Sequence, residues 1–182
     1  VMPSPDTGDG RLHFVPANLI SHFHRSLEAD QTGRTLEAIF SDPGYFAHHP
    51  PLPGSPALGD EGAANHSRFC MGYGDPGIHL FVYGQRALRL ESPGPTTFRA
   101  RQTRQASSAV ARLGHLPHER TVFARQHPVA IDTGAFHNDV VAVGNEDILC
   151  YHETAFADEP GTIEALQQAF LHSAGRRLCT IR

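Results

Sequence analysis

Strand-like runs alternate with segments of helical spacing along the whole chain. The strand-like runs lie at 12–15, 78–84 and 121–124, and the helix-like segments lie at 32–40, at 101–113 and from 162 onward. In the helix-like segments apolar residues recur every three or four positions, whereas the strand-like runs are short and continuous. Strands that alternate with helices indicate an α/β or α+β protein, and our prediction is the α/β class.

The stretch DTGAFHNDVVAVGN, at 132–145, leads into a predicted β-hairpin. Its valines form a β-branched run, GNED favours a turn, and ILCY suits a returning strand, so we predict the hairpin over 139–152. His137 and Asp139 bring a titratable base and a carboxylate to the point where the strand would begin. Because they are two residues apart, we predict that their side chains share one face of that strand.

A second polar cluster reads DEGAANH and begins at Asp60. Glu61 is followed by glycine and two alanines, which allow another backbone to come close. The alternative is structural: Asp60 could cap a helix, and Glu61 could lie in its first turn. His24, Arg25 and Arg101 are open to the same choice, because a histidine–arginine pair and a helix-start arginine are ordinary surface features.

Composition limits the classes of function. The 182 residues suit one domain, and the formal charge of −4 without a basic stripe does not favour nucleic acid. No apolar run approaches the roughly 20 residues of a membrane helix, and no signal-peptide pattern is present. Three cysteines are odd in number and widely spaced, which favours a reducing cytoplasm over a disulfide framework. Proline and glycine predict irregular structure at 45–60 and a turn-rich segment at 85–99.

Thirteen histidines raise the question of a metal site. Zinc ligands on one helix follow spacings such as H-E-x-x-H, whereas the histidines here are adjacent, two apart or scattered. We therefore predict no metal. Walker A, G-x-G-x-x-G and G-x-S-x-G motifs are absent from the sequence, which gives no support to a nucleotide site or a serine-hydrolase elbow.

Five strings, taken in order, carry a resemblance to a known family. They are FHRSLEA, LGDEGAANHSR, LFVYG, ARQTRQAS and DTGAFHNDVVAVGN. Together they resemble the middle of the N-succinylarginine dihydrolases, which belong to the pentein superfamily of guanidino-modifying enzymes. The resemblance implies a partial pentein, or α/β propeller, in which ββαβ-type units form an incomplete fan. It also implies that residues 1–182 are a single partial domain of a longer enzyme.

The resemblance further implies an activity and its residues. The family hydrolyses N2-succinyl-L-arginine to N2-succinylornithine, ammonia and carbon dioxide in arginine breakdown, without metal or cofactor. Its two catalytic acid/base residues correspond to Glu61 and His137. Its substrate-binding residues correspond to His24, Arg25, Arg101 and Asp139. The family's nucleophilic cysteine lies downstream of the strings seen here, so we expect the isolated chain to be inactive. We also expect the full-length enzyme to be cytoplasmic and to form a homodimer.

These residue types suit the implied chemistry. Carboxylates at fixed angles can fork onto a planar guanidinium, and Glu61 and Asp139 could supply them. A histidine titrates near neutrality, so His137 could protonate departing ammonia and then deprotonate water. Arginine suits the anionic ends of the substrate. Two alternatives stay open: another guanidino enzyme such as an arginine or agmatine deiminase, and a non-catalytic histidine-rich domain that binds a metal or a partner.

Overall fold

The computed structural model of the chain describes residues 1–88 and 93–182 and shows a mixed α/β protein, as predicted. The strands are β1 (Leu12–Phe14), β2 (Phe46–His48), β3 (His66–Phe69), β4 (Ile78–Tyr83), β5 (Thr121–Arg125), β6 (Ala142–Asn145), β7 (Ile148–Tyr151) and β8 (Cys179–Ile181). The helices are α1 (Phe23–Ser26), α2 (Ala29–Ile39), α3 (Arg104–Leu113), α4 (Pro128–Asp132) and α5 (Glu159–Ala174). Short 3₁₀ helices cover Pro56–Leu58, Gly62–Asn65, His118–Arg120 and Asn138–Val140.

The strands form small sheets that repeat one connectivity. In the second sheet β3 pairs antiparallel with β4, and β4 pairs parallel with β5 after the crossover through α3. The third sheet repeats this order, because β6 pairs antiparallel with β7, and β7 pairs parallel with β8 after α5. In the first sheet β1 pairs parallel with β2 across α2, and an antiparallel bridge joins Met2 to His13.

Strand β4 is buried on both faces and organises the core. Its Leu80 side packs in a cluster with Leu166 and Phe170 of α5, while Phe81 packs with Ala106 and Val110 of α3. A strand covered on both faces is nearly continuous in apolar residues rather than alternating, and IHLFVY is apolar apart from His79, which is why the sequence predicts this strand well.

Several predicted boundaries are wrong in detail. The hairpin begins at Ala142 rather than at 139, because Asn138–Val140 forms a 3₁₀ helix. Helix α3 begins at Arg104, three residues after the predicted start. The predicted irregular segment 45–60 contains β2, and strands β3 and β8 carry no predicted counterpart. Residues 89–92 of the predicted turn-rich segment lie outside the described residues.

The connections that hold the candidate site leave from one end of the second sheet. His66, at the start of β3, lies opposite Phe81, and Arg125, at the end of β5, lies opposite Tyr83. The start of β3 and the ends of β4 and β5 therefore meet at one edge. The segments before β3, before α3 and after β5 all leave from this edge.

In the part of the chain that the structure describes, no helix has the length and apolar character to cross a membrane.

Candidate active site

Glu61 and His137 meet at this edge, although 76 residues separate them in the chain. His137 Nε2 lies 2.8 Å from Glu61 Oε2. The Glu61 side chain is 1% exposed and the His137 side chain is 23% exposed, so the carboxylate lies beneath a ring that reaches solvent. Glu61 precedes the 3₁₀ helix Gly62–Asn65, and His137 precedes the 3₁₀ helix Asn138–Val140.

The surroundings of Glu61 favour its ionised form. Burial alone would raise the pKa of Glu61, but hydrogen bonds from His137 and Ser21, with the charges of His137 and Arg25, outweigh burial and lower this pKa. An ionised carboxylate only accepts hydrogen bonds, so His137 donates through Nε2–H. In a neutral ring the proton on Nε2 leaves Nδ1 as the base, and this nitrogen can exchange a proton with a substrate or water.

The predicted substrate-binding pair His24–Arg25 lies in α1, and its two side chains have different surroundings. Arg25 Nη1 donates to Glu61 Oε2 at 3.3 Å, and its side chain remains 34% exposed. His24 is exposed, and its ring makes an edge contact with His22 at 5.8 Å between centroids. The structure therefore brings Arg25, but not His24, into direct contact with the acid/base pair.

A cavity of about 480 Å³ opens beside this pair. Ser21, Arg99, Arg101 and Phe136 are among its lining residues. The Arg101 guanidinium carbon lies 4.2 Å above the centroid of the Phe136 ring, a geometry typical of cation–π contacts. The cavity adjoins the acid/base pair, because Phe136 precedes His137 in the chain and Ser21 is one of the groups that lower the pKa of Glu61. Its cationic lining suits an anionic group.

The structure does not place Asp139 on the strand that the sequence predicts. Residues 138–140 are helical rather than extended, so the prediction that His137 and Asp139 share one face of a strand is wrong. The turn forms because Asn138 N donates to Asn65 Oδ1 and Val141 N donates to Asn138 O. Asp139 is exposed and forms no hydrogen bond or ion pair with any residue that the structure describes.

In the DEGAANH cluster the structural alternative, a helix cap, is correct for Asp60 but wrong for Glu61. Asp60 is buried, and its Oδ1 accepts from Gly62 N at 3.1 Å, at the start of the 3₁₀ helix. Glu61 makes no capping bond, because its carboxylate turns to His137. Throughout residues 1–88 and 93–182, no group of three or more histidine, cysteine, aspartate or glutamate side chains is placed to hold a metal ion.

Sequence reasoning did not identify three residues of this site. Ser21, Gln102 and Phe136 bond to Glu61 or line the cavity, and none belongs to a residue type that signals catalysis by itself. A weak signal was available, because each lies beside or near a residue already selected: Ser21 precedes His24, Gln102 follows Arg101, and Phe136 precedes His137.

The fold and the site define an α/β protein with a buried carboxylate held against an imidazole, next to a cavity lined by arginine. Comparison with known proteins then shows that the chain belongs to the succinylarginine dihydrolase family, whose family model matches residues 1–181. This finding confirms the resemblance seen in the sequence.

Individual relatives agree with the family assignment. The chain is 56% identical over 168 residues to the N-succinylarginine dihydrolase of Marinobacter nauticus, a match that covers 92% of this chain and 38% of the relative. It is 58% identical over 167 residues to that of Chromohalobacter salexigens, covering 92% and 37%. It is 56% identical over 181 residues to that of Burkholderia thailandensis, covering 100% and 40%. The chain therefore spans about two fifths of the length of these relatives.

Proposed function

We propose that this chain forms the acid/base part of an enzyme that hydrolyses the guanidino group of N2-succinyl-L-arginine. The observation that carries the proposal is the 2.8 Å contact between His137 and Glu61 beside a cavity lined by Arg101. The names of the relatives support the substrate. With two molecules of water the products are N2-succinylornithine, two molecules of ammonia and one of carbon dioxide.

The proposed roles follow from position and charge. Glu61, ionised and buried, attracts the guanidinium of the substrate and keeps the proton of His137 on Nε2. His137 Nδ1 then exchanges protons with the leaving ammonia and with the hydrolytic water, a role worth about 10²- to 10⁴-fold in rate. Asp139, which is exposed and forms no ion pair with a described residue, supplies a second carboxylate for the guanidinium.

The anionic ends of the substrate require cations. Arg101, stacked on Phe136, presents its guanidinium to the cavity and binds one carboxylate. Arg25 uses one N–H on Glu61 and is a third exposed, so its other N–H groups can reach a second carboxylate. His24, exposed beside it, adds a donor at the rim.

The nucleophile in this proposal comes from outside residues 1–182. Cys70 is buried against Arg68, and burial raises the pKa of the Cys70 thiol, which opposes thiolate formation. Neither Cys150 nor Cys179 lines the cavity formed by the described residues. A cysteine in the remaining length of the enzyme would therefore complete the site.

The architecture proposed for the whole enzyme is a pentein fan, of which residues 1–182 form a single partial domain. Two sheets share the order of an antiparallel pair followed by a parallel pair across a helix, which is a ββαβ unit. The first sheet supplies the parallel part of the same unit, with an antiparallel bridge at Met2. The repetition of this unit supports the proposal.

A grafted enzyme tests the function. Residues 1–181 replace the matched segment of the Burkholderia thailandensis relative, and ammonia release is measured with N2-succinyl-L-arginine, L-arginine and agmatine. We expect turnover of the succinylated substrate only. His137→Ala and Glu61→Gln should each lower kcat by about 100-fold or more. His152→Ala, which removes an exposed ring that bonds only to Thr154 among the described residues, is the matched control.

Each outcome of this assay is informative. Preferential turnover of L-arginine or agmatine would replace the proposed substrate with that of a deiminase-like enzyme. Undiminished turnover in His137→Ala would remove the acid/base role from this histidine. Equal losses in His137→Ala and His152→Ala would show that the graft responds to any histidine substitution.

A further inference from the structure

We propose that Gln102 is a positioning residue, which holds Glu61 by its backbone at the distance that His137 requires. This inference rests on the proposed function, because it concerns the same acid/base pair. Gln102 is 4% exposed and lies between Arg101, which lines the cavity, and Thr103, which caps α3. Its side chain reaches across to the segment that carries Glu61.

The side-chain amide of Gln102 is fully used. Its Oε1 accepts from Glu61 N at 2.6 Å, and its Nε2 donates to Asp60 Oδ1 at 3.1 Å and to Ser107 Oγ at 3.2 Å. A buried amide with all of these partners has one stable orientation, because any rotation would leave a buried donor or acceptor unsatisfied. The bond to Glu61 N therefore has a fixed direction.

This bond matters for Glu61 because the backbone reverses just after it. Gly62 adopts φ of +71°, a left-handed conformation that glycine accepts readily. The turn at Gly62 holds the backbone on one side of Glu61, and the hydrogen bond from Glu61 N to Gln102 Oε1 holds it on the other. The Glu61 carboxylate then lies where His137 Nε2 and Arg25 Nη1 both reach it.

Contacts on either side of Gln102 fix the same two segments. Thr103 N donates to Gly59 O at 2.9 Å, and a Cβ added at Gly59 would lie 2.7 Å from Arg101 O. The segment 59–61 and the segment 101–103 are therefore in direct backbone contact. Gln102 thereby couples the anion-binding side of the cavity, at Arg101, to the acid/base side, at Glu61.

Loss of the Gln102 acceptor should displace Glu61 without removing it. Displacements of about 1 Å can cost on the order of 100-fold in rate, even when the reacting groups are all present. We expect Gln102→Met, which keeps the size but removes the amide, to lower kcat of the grafted enzyme by about 10- to 100-fold. KM should change less than kcat, because Arg101 and Arg25 still bind the anionic ends of the substrate.

A second measurement uses the 182-residue chain and needs no turnover. Carbon-detected NMR titration follows the Glu61 carboxyl group. A looser contact with His137 leaves burial as the main influence, so the pKa of Glu61 should rise in Gln102→Met. Ser107→Ala is the matched control, because it removes another buried bond of Gln102 but leaves the Glu61 bond intact.

The outcomes separate positioning from simple stability. If Gln102→Met and Ser107→Ala lower stability alike and leave both kcat and the pKa of Glu61 unchanged, Gln102 is a structural residue and the proposal is overturned. Should Gln102→Met not fold, Gln102→Asn keeps an amide but withdraws its oxygen by about 1.5 Å, one C–C bond length, and must raise the same pKa. If the graft without substitutions is inactive but the pKa of Glu61 rises in Gln102→Met, the proposed function is rejected and the positioning role of Gln102 is kept.

Discussion

The contact between Glu61 and His137 is a single interaction with a defined pH dependence. The folded pKa of Glu61 lies below its ordinary value of 4.5, so the pair contributes stability above that pH. The contribution is lost as the pH falls through the folded pKa. We expect His137→Ala to lower the free energy of unfolding at neutral pH by about 2 kcal/mol, as for other hydrogen bonds to a charged group. Urea denaturation should show a smaller deficit well below pH 4.5, and an equal deficit at both pH values would contradict this.

Asp6 is another buried carboxylate, and it is distant in sequence from the residues that it binds. It accepts from Arg68 Nε at 2.5 Å, from Gly77 N at 2.6 Å and from His79 Nε2 at 2.9 Å. Burial would raise the pKa of Asp6, but these bonds outweigh burial and lower it to about 2. The stability that Asp6 provides is therefore complete above pH 3.8 and is lost as the pH falls towards about 2.

This arrangement predicts a large effect of Asp6→Asn. Removing one partner leaves Arg68 and His79 without their anion, which costs about 3 kcal/mol in buried pairs. The loss should appear in urea denaturation at neutral pH and shrink near pH 2. Asp75→Asn, at an exposed carboxylate, is the control and should change stability little. Equal effects of the two substitutions would show that Asp6 does not hold this cluster together.

At the level of elements, the start of α3 depends on Thr103. Its Oγ1 accepts from Ala106 N at 3.1 Å, which satisfies one of the free N–H groups of the first turn. We expect Thr103→Val to lower the free energy of unfolding by about 1 to 2 kcal/mol. Thr133→Val removes an exposed hydroxyl at the end of α4 and serves as the control. Urea denaturation that gives equal values for both variants would contradict the capping role.

Backbone pairing just before α3 explains why its predicted start at residue 101 is wrong. Residues 101–103 look helical by spacing, but Gln102 O accepts from Gly84 N and Gln85 N, which keeps them extended beside the end of β4. Such pairing is a tertiary effect that spacing cannot report. Strand β4 is predicted well because burial on both faces makes it apolar at every position except His79.

The sequence does not predict strand β3, because β3 is mostly polar. Its sequence HSRF is polar, and it is stabilised by pairing with β4 and by Arg68 reaching Asp6, 62 residues away. The residues of the candidate site likewise differ in how well the sequence predicts them. Glu61 and His137 were selected through the family strings, whereas Gln102, a polar residue without catalytic character, became visible only from its buried contacts.

At the scale of the whole molecule, the second and third sheets pack directly against each other. Gly144 of β6 lies so close to Phe69 of β3 that an added Cβ would be 2.4 Å from the ring. Cys70 N also donates to Glu146 O at 3.0 Å, which joins the end of β3 to the hairpin turn. Two units with one connectivity are therefore joined through side chain and backbone, which supports our proposal of a single partial domain.

The proposed function divides the chemistry between residues 1–182 and a nucleophile outside them, and the position of the cysteines leads to a testable expectation. The 182 residues contain the arginine-lined cavity and the His137–Glu61 pair, but none of the three cysteines lines that cavity as the structure describes it. We therefore expect the isolated chain to bind N2-succinyl-L-arginine without hydrolysing it. NMR shift changes should appear at Arg101, Phe136 and His137, with no ammonia released. Because the graft contains the rest of the relative, it should release ammonia under the same conditions. Ammonia release by the isolated chain would place the nucleophile within residues 1–182 and contradict the division.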